Sequence, residues 1–453
     1  MVKKVLSQHR EGKVEIPRFV RGTLERLHGA GHEAYIAGGA VRDMVLHRPA
    51  SDWDVATSAS PDAIKSLFQD FRSFSLKHGT ITLVHEGRLF EVTPYKGSEH
   101  FGTHITEDLG HRDFTINAMA YDAVKEEVLD PWGGREDIQR KVLRAVGDPK
   151  DRFHEDPLRL LRAVRISAEL RFQIEKRTLE ALSRMARLIS ATAGERIREE
   201  VMKILMCRKP SPAFYLMVRT GLLREILPEL LEGYRKKQNE LHRFTIFRHI
   251  METVDRIKPE RVLRLAALLH DIAKPRVRQK EGGRFRFLGH ERASAALAVE
   301  VMGRLKFGAS LTEQVSNLIA HHMDVINYDS RWSDGALRRL IRRVGPQNIE
   351  LYLTFRRADL LAHGLKNEHK MNLLDELEKR VGEIMKSPLA LNSRDLAVDG
   401  REVMVILGIG QGPEVGQVLH QLIETVTDQP ELNTKEGLMA LLKEMKEGRR
   451  NHP

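Results

Sequence analysis

The stretch Gly38-Gly39-Ala40-Val41-Arg42-Asp43, followed after a short spacer by Asp52-Trp53-Asp54, decides the fold of the N-terminal part of this chain. Two adjacent glycines let backbone N–H groups come close to phosphate oxygens at the mouth of a predicted helix, whose positive end favours anions. In a strand alternate side chains share a face, so Asp52 and Asp54 are expected to point the same way and share divalent cations. Oxygen-only ligands suit Mg²⁺ better than zinc. Two such ions would activate a hydroxyl and steady a pyrophosphate leaving group. An isolated Asp-x-Asp is more often a solvated turn, but the glycine pair at this spacing turns the reading toward nucleotidyl transfer.

Composition narrows the alternatives. A chain of 453 residues is long enough for about two to four domains. The formal charge of +11 fits a polyanionic partner such as nucleic acid. Cys207 is the only cysteine, which excludes an intramolecular disulfide and a thiolate zinc cluster. No apolar run approaches the ~20 residues that span a bilayer, and Met1-Val2-Lys3-Lys4 leads into charged sequence. A cytoplasmic protein without a membrane partner is expected.

From Ala34 to about Val146 short β-rich runs alternate with helical stretches: Ala34–Ala37, Thr80–Val84 and Leu89–Thr93 read as strands. After Asp148-Pro149 the pattern becomes long helical periodicity, so the fold class is α+β with an α/β head and a mostly α body. Boundaries are expected near residue 150, near Gly233 to Asn239, and between Lys366 and Lys386. Gly408-Ile409-Gly410-Gln411-Gly412-Pro413 reads as a connector between two helices.

Further polar residues cluster around the aspartate pair. Glu91 lies mid-strand, where an unpaired carboxylate is costly unless it faces a cation or cleft, so it is expected to be a third metal-site acid. Downstream, His111-Arg112-Asp113-Phe114-Thr115-Ile116-Asn117 precedes a run expected to be an apolar helix. Arg112 suits a triphosphate, and Asp113 and Asn117 suit a ribose hydroxyl. The plainer role for Asp113 is a helix cap.

These residues resemble the class II tRNA nucleotidyltransferases, the CCA-adding and CC-adding enzymes, and their bacterial poly(A) polymerase relatives. Besides the two opening motifs, the resemblance rests on Arg112-Asp113 through Asn117-Ala118 and Asp130-Pro131-Trp132-Gly133-Gly134. Glu155-Asp156-Pro157-Leu158-Arg159 and Glu195-Arg196-Ile197-Arg198-Glu199-Glu200 complete it. It implies a polymerase β-like nucleotidyltransferase head (1–148), a helical neck (149–234), a helical body (235–370) and a tRNA-binding tail (371–453). It also implies Mg²⁺ on the catalytic acids Asp52, Asp54 and Glu91. Gly38, Gly39, Arg42, Arg112, Asp113, Asn117, Asp156, Arg159 and Arg162 are the nucleotide-binding positions it marks. The expected partners are the 3′ end of tRNA with CTP, and ATP where the full end is added.

The resemblance makes Asp156 and Arg159 the pair that reads the incoming base. Pro157 suits a first helical position with Asp156 as the cap before it, so both side chains emerge at a helix start. Cytosine and adenine each offer an amino donor beside a ring-nitrogen acceptor, matching a carboxylate and a guanidinium. Uracil and guanine reverse both groups, and each mismatched buried contact costs about 1–3 kcal/mol. Arg162 and Arg165 follow on the same helix and suit the nucleotide or the primer end.

Seventeen residues, Pro94 to Gly110, separate Thr93 from His111. Complete CCA-adding relatives carry a longer flexible loop there, and His111 stands where an arginine is usual, so a CC-adding enzyme is expected. A poly(A) polymerase is the nearest rival, and an RNA-binding phosphohydrolase with a degenerate head is the alternative from another class. In the body, His249, His270-Asp271, His290, His321-His322 and Asp359 resemble the HD phosphohydrolase superfamily. That resemblance implies a principal site of His249, His270, Asp271 and Asp359, and a second metal on His290 and His321 or His322. Ni²⁺ or Mn²⁺ suits such ligands. Arg338-Arg339 and Arg342-Arg343 recur at helical spacing, a solvated face by default and a phosphate grip at best.

Overall fold

The structure is a computed structural model that describes residues 16–451 except 51, 76–78, 87, 98–101, 103, 240–242, 365–367 and 387–391. Part of the short segment before His111 therefore lies outside the described residues. The chain forms two compact units, one reaching Ile204 and including Pro212–Ile226, the other comprising Leu205–Ser211 and everything from Leu227 onward.

The first unit is built on seven strands: β1 (Ala34–Ala37), β2 (Asp54–Thr57), β3 (Arg72–Ser75), β4 (Ile81–His85), β5 (Arg88–Pro94), β6 (Ala120–Asp122) and β7 (Glu127–Leu129). They pair in the order β3-β4-β5-β2-β1-β6-β7. Among the described residues of this sheet β2 and β5 form the one parallel pair, and their register sets Asp54 beside Glu91. Val55, Ala56, Val92, Ile36 and Ala37 are fully buried along the middle strands, which explains why this register holds. A slip of one residue would turn the apolar set outward.

Between β1 and the helix Gly39–Val45 the chain turns at Gly38 with φ +76°. That conformation suits glycine, and a Cβ there would lie 2.6 Å from Arg112 Nη1. The expected apolar helix after Asn117 does not form. A 3₁₀ turn, Thr115–Asn117, leads directly into β6, because the apolar run Ala118-Met119-Ala120 is consumed by the sheet and its core. The helices Pro149–Glu155 and Leu158–Leu170 follow, the first capped by Asp148 with Pro149 behind it.

Among the described residues the second unit is helical apart from one hairpin, Gln279–Glu281 with Arg284–Arg286. The helices Ile246–Arg256, Arg261–Leu269 and Ile349–Ala362 pack around fully buried Phe247, Leu263, Tyr352 and Phe355. The helix Glu368–Ile384 runs through the stretch expected to hold a boundary. The Gly408–Pro413 segment connects the helices Gly400–Leu407 and Pro413–Asp428, as expected.

The arginine stripe is neither a solvated face nor a free phosphate grip. Arg342 pairs with Glu424, Arg339 with Asp428 at 3.0 Å, and Arg338 donates to the Thr427 carbonyl at 3.1 Å. Arg343 pairs with Asp324. The first three therefore fasten the helix Asp334–Val344 to the helix Pro413–Asp428. Replacing Arg338, Arg339 and Arg342 by alanine together is expected to lower unfolding stability by about 1–2 kcal/mol, since half-exposed pairs contribute up to about 1 kcal/mol each. Urea unfolding checks it. The salt slope of RNA binding should stay put, whereas each lost phosphate contact would flatten it by about one unit.

Candidate active site and a second metal-binding cluster

A cavity of about 310 Å³ in the first unit is lined by Gly38, Gly39, Asp54, Glu91, Arg112, Asp113, Asn117, Asp156, Arg159 and Arg162. Eight of the nine positions expected to bind a nucleotide, from three separate stretches of sequence, thus meet there with Asp54 and Glu91, whereas Arg42 and Asp52 do not line the cavity. Their geometry follows from the sheet. Asp54 opens β2 and Glu91 sits at the same level of β5, so the two carboxylates face one another across neighbouring strands. Asp52 lies just before the strand, exposed, with buried Trp53 between it and Asp54, so the expected alternation holds without a continuous strand. Glu91 is exposed rather than buried. Register, not the cost of burial, is what brings it to Asp54.

Electrostatics marks the same spot. Burial pushes the Asp54 carboxyl up to about 6; Glu91 and Asp52 push further the same way, and Arg112 and Arg162 oppose them. Three acids crowd one point at the edge of a cavity. Their all-oxygen donor set fits Mg²⁺, whose charge would relieve the crowding.

Beside them runs a chain of polar contacts that ties Arg42, Asn117, Asp113 and Arg162 together. Arg42 pairs with Asp43 and donates to Asn117 Oδ1 at 3.0 Å, and Asn117 Nδ2 donates to Asp113 at 3.0 Å. Arg162 closes the chain on Asp113 at 2.6 Å. Burial by itself would raise Asp113, yet Arg162 and Asn117 hold it at about 2, ionised at any working pH. Asp113 caps no helix; it accepts from the Phe114 N–H and, with Asn117, ties two arginine-bearing helices to the 3₁₀ turn Thr115–Asn117. Arg112 pairs with Asp108 at 3.1 Å. Arg165 faces elsewhere, bonded to Glu200 and Glu169, so it is not part of the cavity.

At the start of the helix Leu158–Leu170, Asp156 accepts from the Leu158 N–H at 3.2 Å, with Pro157 in helical conformation between them. Arg159 donates to Glu155, to the Arg152 carbonyl and to the His111 carbonyl. Arg196 and Lys96 line the cavity too, and sequence reasoning gave neither a role. Arg196 belongs to a quoted motif, but only the fold shows which side chain it meets.

The second cluster lies in the other unit. His249, His270 and Asp359 form one group of converging ligand atoms, and Asp271, His290 and His322 form another. The Nε2 atoms of His249 and His270 are 3.2 Å apart, and those of His290 and His322 are 3.3 Å apart. Two nitrogens bound tetrahedrally to one ion at ~2.05 Å stand ~3.3 Å apart. Each of the four rings sets Nδ1 against a backbone carbonyl: Ala362, Ala267, Phe287 and Ile319. This fixes the tautomer that turns the Nε2 lone pair inward.

Asp271 sits between the groups. Its Oδ2 lies 3.2 Å from His270 and 3.4 Å from His249, and its Oδ1 lies 3.4 Å from His290 and 3.8 Å from His322. Among the described residues Oδ1 is buried with no hydrogen-bond donor, an acceptor whose charge a cation would match. Burial works against charge on His270, yet Asp271 and Asp359 outweigh it and push it up to about 9; His322, mainly through burial, is held well below its usual range. The mixed nitrogen and oxygen donors suit a transition metal.

His321 is the exception among the expected ligands. It pairs with Asp324 at 3.1 Å and lies outside both groups, because consecutive residues at a helix end point about 100° apart and His322 takes the inward direction. Lys274 bonds Asp271 at 2.6 Å, and Arg356 bonds Asp359. Sequence reasoning missed both, although each lies three residues from its ligand, one helical turn away.

Two outcomes follow from these geometries. An acid whose folded pKa is raised is stabilised by its proton, a benefit that is full below about pH 4 and gone once pH rises past 6. Asp54→Asn is therefore expected to raise Tm by a few degrees at pH 8 without divalent metal, to change little at pH 4, and to abolish stabilisation by Mg²⁺; thermal melts at both pH values check this. With the first cluster removed by Asp52→Ala and Asp54→Ala, elemental analysis after Mn²⁺ or Ni²⁺ loading should find two ions per chain. His322→Ala should leave one, and His321→Ala should leave both.

Comparison with known proteins agrees with the geometry. A model described as the poly A polymerase head domain matches residues 34–144, one described as a probable RNA and SrmB-binding site of polymerase A matches 171–233, and the HD domain matches 242–363. The chain is 34% identical to the CC-adding tRNA nucleotidyltransferase of Thermus thermophilus over 433 residues, 92% of this chain and 94% of that one. It is 29% identical to the CCA-adding enzyme of Pediococcus pentosaceus over 415 residues, 89% of this chain and 91% of the relative. Among solved structures, the Bacillus stearothermophilus CCA-adding enzyme in complex with CTP is similar over 95% of this chain and 98% of that one, with a TM-score of 0.73 and 27% identity. With a similarity to the Thermus protein that runs almost end to end, the chain belongs to the tRNA nucleotidyltransferase family.

Proposed function

We propose that the protein adds cytidines to the 3′ end of tRNA from CTP, with Asp52, Asp54 and Glu91 holding Mg²⁺, and that it stops short of the terminal adenosine. The observation that carries the reading is the Asp54 and Glu91 pair, set in register on β2 and β5 in the cavity that also contains Asp156 and Arg159. Bound magnesium supplies charge neutralisation for the attacking hydroxyl and for the departing pyrophosphate. The chain's own groups do the rest. Arg112 faces the triphosphate beside Gly38, whose missing side chain leaves room for the guanidinium. The Asp113 and Asn117 pair, held by Arg42 and Arg162, fixes the ribose end of the nucleotide. Asp156 accepts from the base's amino group and Arg159 donates to its ring nitrogen. As the RNA 3′ oxygen bonds to the α-phosphorus, the bond from that phosphorus to pyrophosphate breaks.

The CC-adding preference is supported by the short Pro94–Gly110 segment and by the name of the Thermus relative. The second cluster is proposed as a metal-dependent phosphohydrolase site. Lys274 and Arg356, paired with Asp271 and Asp359, line a cavity of about 310 Å³ beside these ligands and would bring positive charge near a bound phosphate ester, while His363, also in its lining, is lowered by burial to about 4 and stays neutral.

Incubation of the purified protein with tRNA lacking its 3′ end, in CTP plus ATP, is expected to yield two added cytidines and no adenosine. Adenosine added at a comparable rate would replace the CC-adding reading with the complete one, and long adenosine tails from ATP would favour the polymerase. Asp52→Ala with Asp54→Ala should reduce incorporation at least 1,000-fold, on the order of the loss when transition-state charge stabilisation is removed.

A further inference from the structure

We infer that the hydroxyl groups of Thr80 and Thr93 receive the 2′-hydroxyl of the last ribose of the RNA being extended, and so select a ribose terminus over a deoxyribose one. The inference rests on the proposed nucleotidyl transfer at Asp54 and Glu91. Thr93 lies on β5 two residues beyond Glu91, and Thr80 immediately precedes β4. Alternation puts Glu91 and Thr93 on one face of β5, and the β4 register, Ile81 against Val92, carries Thr80 opposite Thr93. The two hydroxyl oxygens stand 3.2 Å apart, and both residues line the cavity that holds Asp54 and Glu91. Thr80 is buried and Thr93 half buried.

Their side of the cavity is the one an attacking hydroxyl needs. The sheet order β4-β5-β2-β1 sets Gly38, which follows β1, and the threonines, on β5 and beside β4, on opposite flanks of the Asp54 and Glu91 pair. Arg112, the proposed triphosphate contact, stands against Gly38, so the departing pyrophosphate belongs on the β1 flank. In an in-line displacement the nucleophile enters opposite the leaving group, which puts the RNA 3′ oxygen on the β4 and β5 flank. Two residues along a strand cover ~6.7 Å, about the span of one ribose with its hydroxyls, so a 3′ oxygen near Glu91 brings its neighbouring 2′-hydroxyl to Thr93 and Thr80. One threonine donates to the other, which leaves the pair one O–H donor and three acceptor positions. A 2′-hydroxyl is itself both donor and acceptor and matches that set. A deoxyribose terminus leaves the spare donor unmatched in a partly buried site, which disfavours it.

Replacing both members of a hydroxyl pair by valine removes the two polar groups together and keeps their shape, so Thr80→Val with Thr93→Val is expected to fold. The test is steady-state CTP incorporation into truncated tRNA whose last sugar is ribose or 2′-deoxyribose. It compares the wild type, the double valine variant and Thr80→Ser with Thr93→Ser, each with its melting temperature. The wild type is expected to use the ribose terminus at least tenfold better in kcat/KM. The double valine variant should narrow that preference at least fivefold, with the loss falling on the ribose terminus, while the double serine variant, which keeps both hydroxyls, should retain it. The preference for CTP over dCTP should hold within twofold throughout, since the incoming sugar is met by Asp113 and Asn117. Should the double valine variant melt below the assay temperature, Thr93→Val compared with Thr93→Ser gives the same reading. A wild type that uses both termini within twofold overturns the inference and leaves the transfer reading standing. Equal losses on the two termini in the double valine variant overturn it too, because the pair would then only shape the cavity. Collapse of the CTP over dCTP preference overturns it by assigning the pair to the incoming nucleotide. If Asp52→Ala with Asp54→Ala still incorporates CTP at the wild-type rate, the transfer reading fails and the inference fails with it.

Discussion

Two carboxylates held side by side on parallel neighbouring strands are the constraint from which the catalytic unit takes its shape. Like charges this close repel, and burial adds to the cost, which is visible in the Asp54 carboxyl being pushed up to about 6. The sheet bears that cost because β2 and β5 are locked by fully buried Val55 and Val92 in the same register that pairs Asp54 with Glu91. The core thus stabilises an arrangement that its own electrostatics opposes, a pattern common at functional sites. The glycine turn at 38 and the Arg42–Asn117–Asp113–Arg162 chain then set the remaining cavity residues around that pair.

The helical unit solves a similar problem with different chemistry. Four imidazoles are fixed in one tautomer by backbone carbonyls, and their inward nitrogens surround an aspartate that has one oxygen for each pair. Lys274 and Arg356 balance the two buried carboxylates. Without such partners two buried acids would be expensive. Oxygen donors alone mark the acidic cluster of the first unit and mixed nitrogen and oxygen donors that of the second, sets that would sort metals by ligand hardness.

Local signals made much of this legible in the sequence. The Asp52-Trp53-Asp54 alternation gave a buried Trp53 between two less buried aspartates although the strand opens only at Asp54, the Gly38-Gly39 pair gave the turn, and loss of β-pattern after Asp148 gave the change from sheet to helix. Long-range pairing was not legible. Glu91 was found for the wrong reason, because its partner depends on a parallel register and not on burial. The apolar run after Asn117 was read as helix since short apolar segments look alike in both states, and the sheet decided. His321 was not separated from His322 because one residue of helical phase cannot be fixed at a helix end. The arginine stripe was ambiguous because its acidic partners, Glu424 and Asp428, lie more than eighty residues away. Arg196 went unassigned for a like reason, being forty residues from its partner Asp156.

The central claim is that Asp52, Asp54 and Glu91 bind divalent cations beside a nucleotide. Anomalous scattering from crystals soaked in Mn²⁺ and CTP tests it most directly. Density for one or two ions within about 2.2 Å of carboxylate oxygens at 52, 54 and 91, touching the CTP phosphates, is the result expected. Manganese found only among the histidines, with none at the β2 and β5 acids while CTP is bound, would contradict the account.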